Sequence, residues 1–98
     1  MSGVRNRYVV CYDVRESQRL AQTYKVMCGY GDHMQYSVFI CDLNDSEIIM
    51  MRADLEEVMN TKEDSLMIAN VGSVEKSAAR ITTVGVSLET RREASIVV

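Results

Sequence analysis

Apolar residues along this chain fall into short blocks with period two and two longer stretches with helical spacing. Residues 8–14 read as a buried strand, with Val9, Val10, Cys11, Tyr12 and Val14 bringing the chain to the carboxylate of Asp13. Ser17 is the predicted cap of a following helix, in which Leu20, Tyr24, Met27 and Cys28 share one face and Arg19, Gln22 and Lys25 the other. Gly29 is predicted to end that helix in the left-handed conformation. From Met34 to Leu43 the pattern is strand-like throughout, with Tyr36, Val38 and Ile40 on one face and Ser37, Phe39 and Cys41 on the other. Taken alone, it predicts one long strand.

A second helix is predicted from the cap candidates Asn44, Asp45 and Ser46, with Glu47 three residues after Asn44 in the capping-box position. It extends to about Asn60 on a stripe of Ile48, Met51, Leu55, Val58 and Met59, with the methionines as core filler. Ser65 to Val71 and Ile81 to Val86 complete the pattern as strands. Two amphipathic helices among four or five short strands predict an α+β sandwich with both helices on one face of an antiparallel sheet.

The length of 98 residues allows one small domain, which leaves much of its surface unburied and gains from dimerising. Residues 1–7 are expected to be a flexible N-terminus and 8–86 the domain. Residues 87–98 form a polar tail ending in apolar Ile96, Val97 and Val98, read either as mobile or as docking on a partner. The start has no apolar core of a signal peptide and no later run approaches a membrane span, so a cytoplasmic protein without membrane contact is expected. Cys11, Cys28 and Cys41 lack metal-site or redox spacing and are expected to be reduced core residues. The net charge of −3 argues against nucleic-acid binding over the whole surface. Its distribution is uneven. Arg5, Arg7, Arg15, Arg19 and Lys25 make the first part basic, whereas residues 42–64 are acidic with only Arg52 and Lys62 opposing.

Asp13, at the end of a strand and just before a helix, is either a capping or turn residue or a metal ligand on a rigid element. The residues alone leave both readings open. No Cys and His cluster, no glycine loop followed by lysine and no assignable Ser, His, Asp triad suggests other chemistry.

The ordered set Tyr12-Asp13-Val14, a helix carrying Arg19, Gly29-Tyr30-Gly31, and then Gln35-Tyr36-Ser37-Val38-Phe39 resembles the CRISPR-associated Cas2 family over roughly residues 8–86. The resemblance implies a ferredoxin-like βαββαβ fold, so residues 31–35 must form a short strand of their own with a bend near Tyr36. It also implies an additional C-terminal strand, Ala79 to Val86, that crosses to the second subunit of a homodimer. Asp13 is then the catalytic and metal residue, facing its dimer mate across the two-fold axis. Mg2+ between the carboxylates would serve a phosphodiesterase. Tyr12, Ser37 and Phe39 match family positions near the subunit interface, although by type they suit packing and turn roles. Arg15 and Arg19 are the candidates for nucleic-acid phosphates, each equally readable as a surface cation.

The chain departs from the family pattern at His33, where many members carry arginine, and at Met67, where a basic residue is common in the fourth strand. His33, as a lone loop histidine, is expected to be solvated. Three functions follow. The first is a CRISPR adaptation protein acting with the integrase on prespacer DNA, carrying a magnesium-dependent endonuclease site for RNA or DNA. The second is a non-catalytic DNA-bridging scaffold that relies on backbone contacts. The third is a ferredoxin-fold dimer of another role, such as a toxin-like ribonuclease.

Overall fold

In the computed structural model, which describes residues 4–85, the first apolar block forms strand β1, Asn6–Asp13. It begins two residues before Tyr8, so Asn6 and Arg7 belong to the sheet and not to a flexible N-terminus. The cause is a cross-strand pair: Arg7 lies opposite Asp42 and donates to both of its carboxylate oxygens, from Nε at 2.7 Å and from a terminal nitrogen at 2.9 Å.

Helix α1 spans Ser17–Cys28. Its cap is Glu16 and not Ser17. The Glu16 carboxylate accepts from the backbone N–H groups of Gln18 at 2.8 Å and Arg19 at 2.9 Å, placing negative charge at the positive end of the helix. Gly29 has φ −80°, so the helix closes without a left-handed residue, through bonds from the Gly29 and Tyr30 N–H groups to the Val26 and Met27 carbonyls. Its buried face is also not the one expected. Thr23 and Met27 are fully buried, while Leu20 and Tyr24 are 39% and 42% exposed. Thr23 can be buried because its hydroxyl donates to the Arg19 carbonyl at 2.8 Å, leaving only its methyl to pack.

The long strand expected over residues 34–43 is two strands, β2 Asp32–Gln35 and β3 Val38–Leu43, joined at Tyr36 and Ser37. Gly31 precedes β2 because the chain passes close to β3. A Cβ there would strike Cys41 Sγ and sit 2.5 Å from the Ile40 carbonyl oxygen. Helix α2, Asp45–Val58, starts with the expected capping box. The Asn44 side chain accepts from Glu47 N–H, and Glu47 accepts from Asn44 N–H, both at 2.9 Å. Strand β4 is Ser65–Ser73, followed by a single helical turn, α3 Val74–Ser77.

The sheet is antiparallel with order β2-β3-β1-β4, the arrangement of a ferredoxin-like βαββαβ fold. Tyr8, Val10, Tyr12, Phe39, Cys41 and Leu43 on one sheet face pack with Met27, Met51 and Leu55 from the helices. Cys41 is thus a core residue, and burial pushes its thiol up to about 12. Cys28 is exposed and Cys11 half-buried, so the expectation of three core cysteines holds for one.

Alternation along β1 sends Val9, Cys11 and Asp13 to the other face, level with Ile40, Val38, Ala69, Met67 and Ser65 on the neighbouring strands. The helices leave this face open. The fifth strand expected over Ile81–Val86 is not formed in residues 81–85, and Val86 lies outside the described residues, as does the tail 87–98. A strand needs a ladder partner, and this segment pairs with none of β1–β4. Instead Ile81 and Thr83 border a groove of about 150 Å³ on the open face with Val9, Met34, Val38 and Ile40. Among the described residues no helix is long and apolar enough to cross a membrane.

Candidate functional site at the end of the first strand

β1 delivers Asp13 to the rim of the open face, with its side chain 64% exposed. The strand is held there from both sides. Asp13 pairs with Ser65 on β4, and Tyr12 N–H donates to the Ser37 carbonyl at 3.2 Å. Arg15 reaches the Asp13 carboxylate at 3.5 Å, but both groups are well exposed, so the pair contributes little. Asp13, Arg15 and Ser37 thus share one end of the sheet. Asp13 does not cap α1, since Glu16 does.

Tyr12 and Phe39 support the site from below. Both are buried, with ring centroids 6.1 Å apart, and Phe39 also meets Tyr24 and His33. Burial pushes the Tyr12 phenol up, with a hydrogen bond to Ser37 acting against that rise. His33 is not a solvated loop residue. It lies on β2, wedged against Tyr24 and Phe39, and its Nε2–H donates to the Tyr36 carbonyl at 2.5 Å.

Arg19, expected to face phosphate, is held by carboxylates. Its Nε donates to Asp64 Oδ2 at 2.9 Å, and one terminal nitrogen donates to Asp64 Oδ1 at 3.1 Å and to Glu63 at 3.0 Å. The Asp64 side chain is fully buried and also accepts from the backbone N–H groups of Arg15 and Asn60, each at 2.9 Å. Asp64 therefore fixes the loop that follows Asp13, a role concealed in the sequence because Asp64 ends an acidic run. Arg5 is likewise taken up by Glu47, and Arg7 by Asp42. The acidic segment neutralises three of the five basic residues that make the first part of the chain basic.

The Arg19 guanidinium, with help from the two N–H groups, holds the Asp64 carboxyl well below the usual carboxylate range. A carboxyl depressed in the folded state stabilises above its unfolded pKa, and that contribution fades as pH falls toward the folded value. Asp64→Asn should therefore lower the melting temperature at neutral pH and flatten its fall below about pH 4, whereas Glu63→Gln should change either little. Thermal melts of the three proteins across acid pH measure this.

Among the described residues no group of three or more His, Cys, Asp or Glu side chains forms a metal site. Asp13 itself, a hard carboxylate on a rigid strand, suits magnesium, which requires only one or two carboxylates beside water and substrate phosphate.

Residues 6–79 match the family described as CRISPR associated protein Cas2. A CRISPR-associated endoribonuclease Cas2 from Geobacter sulfurreducens is 36% identical over 78 residues, covering 80% of this chain and 82% of that protein. One from Rhodospirillum rubrum is 33% identical over 97 residues, covering 98% and 95%. The crystal structure of Streptococcus pyogenes Cas2 at pH 6.5 superimposes with a TM-score of 0.70 at 27% identity, covering 81% of this chain and 99% of that one. The match spans every strand and helix that positions Asp13, and the chain belongs to the CRISPR-associated Cas2 family.

Proposed function

We propose that the chain acts as a homodimer in spacer acquisition, with a magnesium-dependent phosphodiesterase centre formed by Asp13 from each subunit. The observation that carries this reading is the position of Asp13 at the rim of a sheet face that is apolar through Val9, Cys11, Val38, Ile40 and Met67 and has no helix over it. Two such faces packed together bury that surface and set the two carboxylates opposite one another. Like charges so placed repel unless a cation or a shared proton lies between them. When bound, magnesium supplies a Lewis acid for the phosphodiester. Asp13 would hold it, Arg15 would orient a neighbouring phosphate, and the Tyr12–Phe39 stack keeps the strand end rigid. The names of the relatives, endoribonuclease, favour RNA as one substrate. DNA carries the same phosphodiester, and the integrase and prespacer DNA are the partners in acquisition.

The exposed Arg15 favours a second reading, a scaffold that bridges DNA by phosphate contacts and uses no carboxylate. Met67 tests the dimer. It lies on the open face, 62% exposed, so Met67→Glu should leave the single chain folded. The variant should sediment as a monomer and lose magnesium-dependent cleavage of RNA and DNA. A variant that sediments as a monomer yet cleaves at the wild-type rate would overturn the shared centre.

A further inference from the structure

The two ends of β1 carry ion pairs of different kinds. At the end far from Asp13, Arg7 lies opposite Asp42 on β3 and donates to both carboxylate oxygens, at 2.7 and 2.9 Å. Alternation puts this pair on the open face beside Val9 and Ile40, which are partners two residues along the same ladder. The two charged side chains are 23% and 38% exposed. At the near end Arg15 and Asp13 stand 3.5 Å apart, each more than half exposed. A bidentate pair satisfies both charges within one chain and tolerates being closed off from water, whereas a loose, solvated pair loses more hydration than contact restores.

Val9, Cys11, Val38 and Ile40 fill the stretch between the two pairs. Ile81 and Thr83 border it without filling it, since a groove of about 150 Å³ remains beside Val9, Val38 and Ile40. The charges around it decide which occupant fits. Arg7 cancels Asp42 and Arg15 cancels Asp13, while Asp32 on β2 adds a negative charge level with Ile40. Nucleic acid finds no excess of cations here, whereas a second copy of the chain brings an apolar stretch flanked by the same balanced pairs.

We infer that a second copy covers the open face along the length of β1 as far as the Arg7–Asp42 pair and closes that pair off from water, while the Arg15 end of the face keeps its solvent. The inference rests on the homodimer reading and fixes how far the contact extends. An ion pair at a wet rim contributes little to association, whereas removing one member of a dehydrated pair strands the other charge.

The test measures dimer dissociation constants by sedimentation for wild type, Asp42→Asn, Arg7→Gln, the double variant Arg7→Leu with Asp42→Leu, and Arg52→Gln, with circular dichroism to verify each fold. Each single variant at the pair should weaken the dimer about thirtyfold or more, and either one that folds decides the matter. The double variant replaces both charges by apolar groups and should dimerise at least as tightly as wild type, to within about threefold. Arg52→Gln removes the exposed Arg52–Glu56 pair on α2, across the sheet from the open face, and should change nothing. Single variants that dimerise as wild type does, or a folded double variant as weak as they are, overturn the coverage of the pair and leave the homodimer reading intact. A wild-type protein that sediments as a monomer at every concentration overturns both.

Discussion

Asp13→Asn should lower magnesium-dependent phosphodiester cleavage by about a hundredfold or more while leaving fold, melting temperature and dimer intact. The expected contrast between activity and stability comes from the structure. Asp13 is two-thirds exposed, and its one close ion pair among the described residues, to Arg15 at 3.5 Å, lies in solvent. Removing its charge costs the fold almost nothing. In a dimer the substitution should even relieve repulsion between facing carboxylates, so a melting temperature equal to or slightly above that of wild type is the outcome to look for. Cleavage assays with and without magnesium, on dimers of both proteins, measure the loss. If the chain acts with an integrase in spacer acquisition as proposed, integration should persist in the variant, because bridging DNA would depend on the fold and its cations and not on the carboxylate.

Phe39→Ala should have the opposite signature. Phe39 is fully buried and touches the rings of Tyr12, Tyr24 and His33, joining β1, β2, β3 and α1. Truncation removes the ring and leaves a cavity that rigid strands cannot close, at a cost of about 3–5 kcal/mol. For a domain of this size each kcal/mol lowers the melting temperature by roughly 4–8 °C, so much of the protein should be unfolded at 37 °C. Chemical denaturation of wild type and variant gives the difference directly. Any loss of cleavage in Phe39→Ala should follow the folded fraction, which separates support of the site from chemistry within it.

The strands were legible because period-two burial is a local property. Val10 and Tyr12 point to the core and Asp13 to the open face, as alternation requires. Helix α2 was legible for the same reason, since Asn44 and Glu47 form their capping box within four residues. What stayed hidden depends on contacts distant in sequence. The apolar pattern alone gave no break at Tyr36, because a strained tyrosine stands where a glycine would have marked the turn. The α1 face was misread because Thr23 counts as polar until its bond to the Arg19 carbonyl is known. Arg19 itself looked like a surface cation until the fold brought Asp64 to it across 45 residues. The candidate site followed the same rule: Asp13 could be placed from its own strand, whereas the parts that hold it, Asp64, His33 and the Tyr36 loop, required the tertiary structure.

A shared centre makes one prediction that separate centres do not. Wild type carrying one affinity tag is mixed with Asp13→Asn carrying another, subunits are exchanged, and the heterodimer bearing both tags is isolated and assayed for magnesium-dependent cleavage. If the two carboxylates hold one metal across the two-fold axis, the heterodimer is as inactive as the Asp13→Asn homodimer. A heterodimer with half the wild-type rate would mean that each subunit carries a complete site, and would contradict the account.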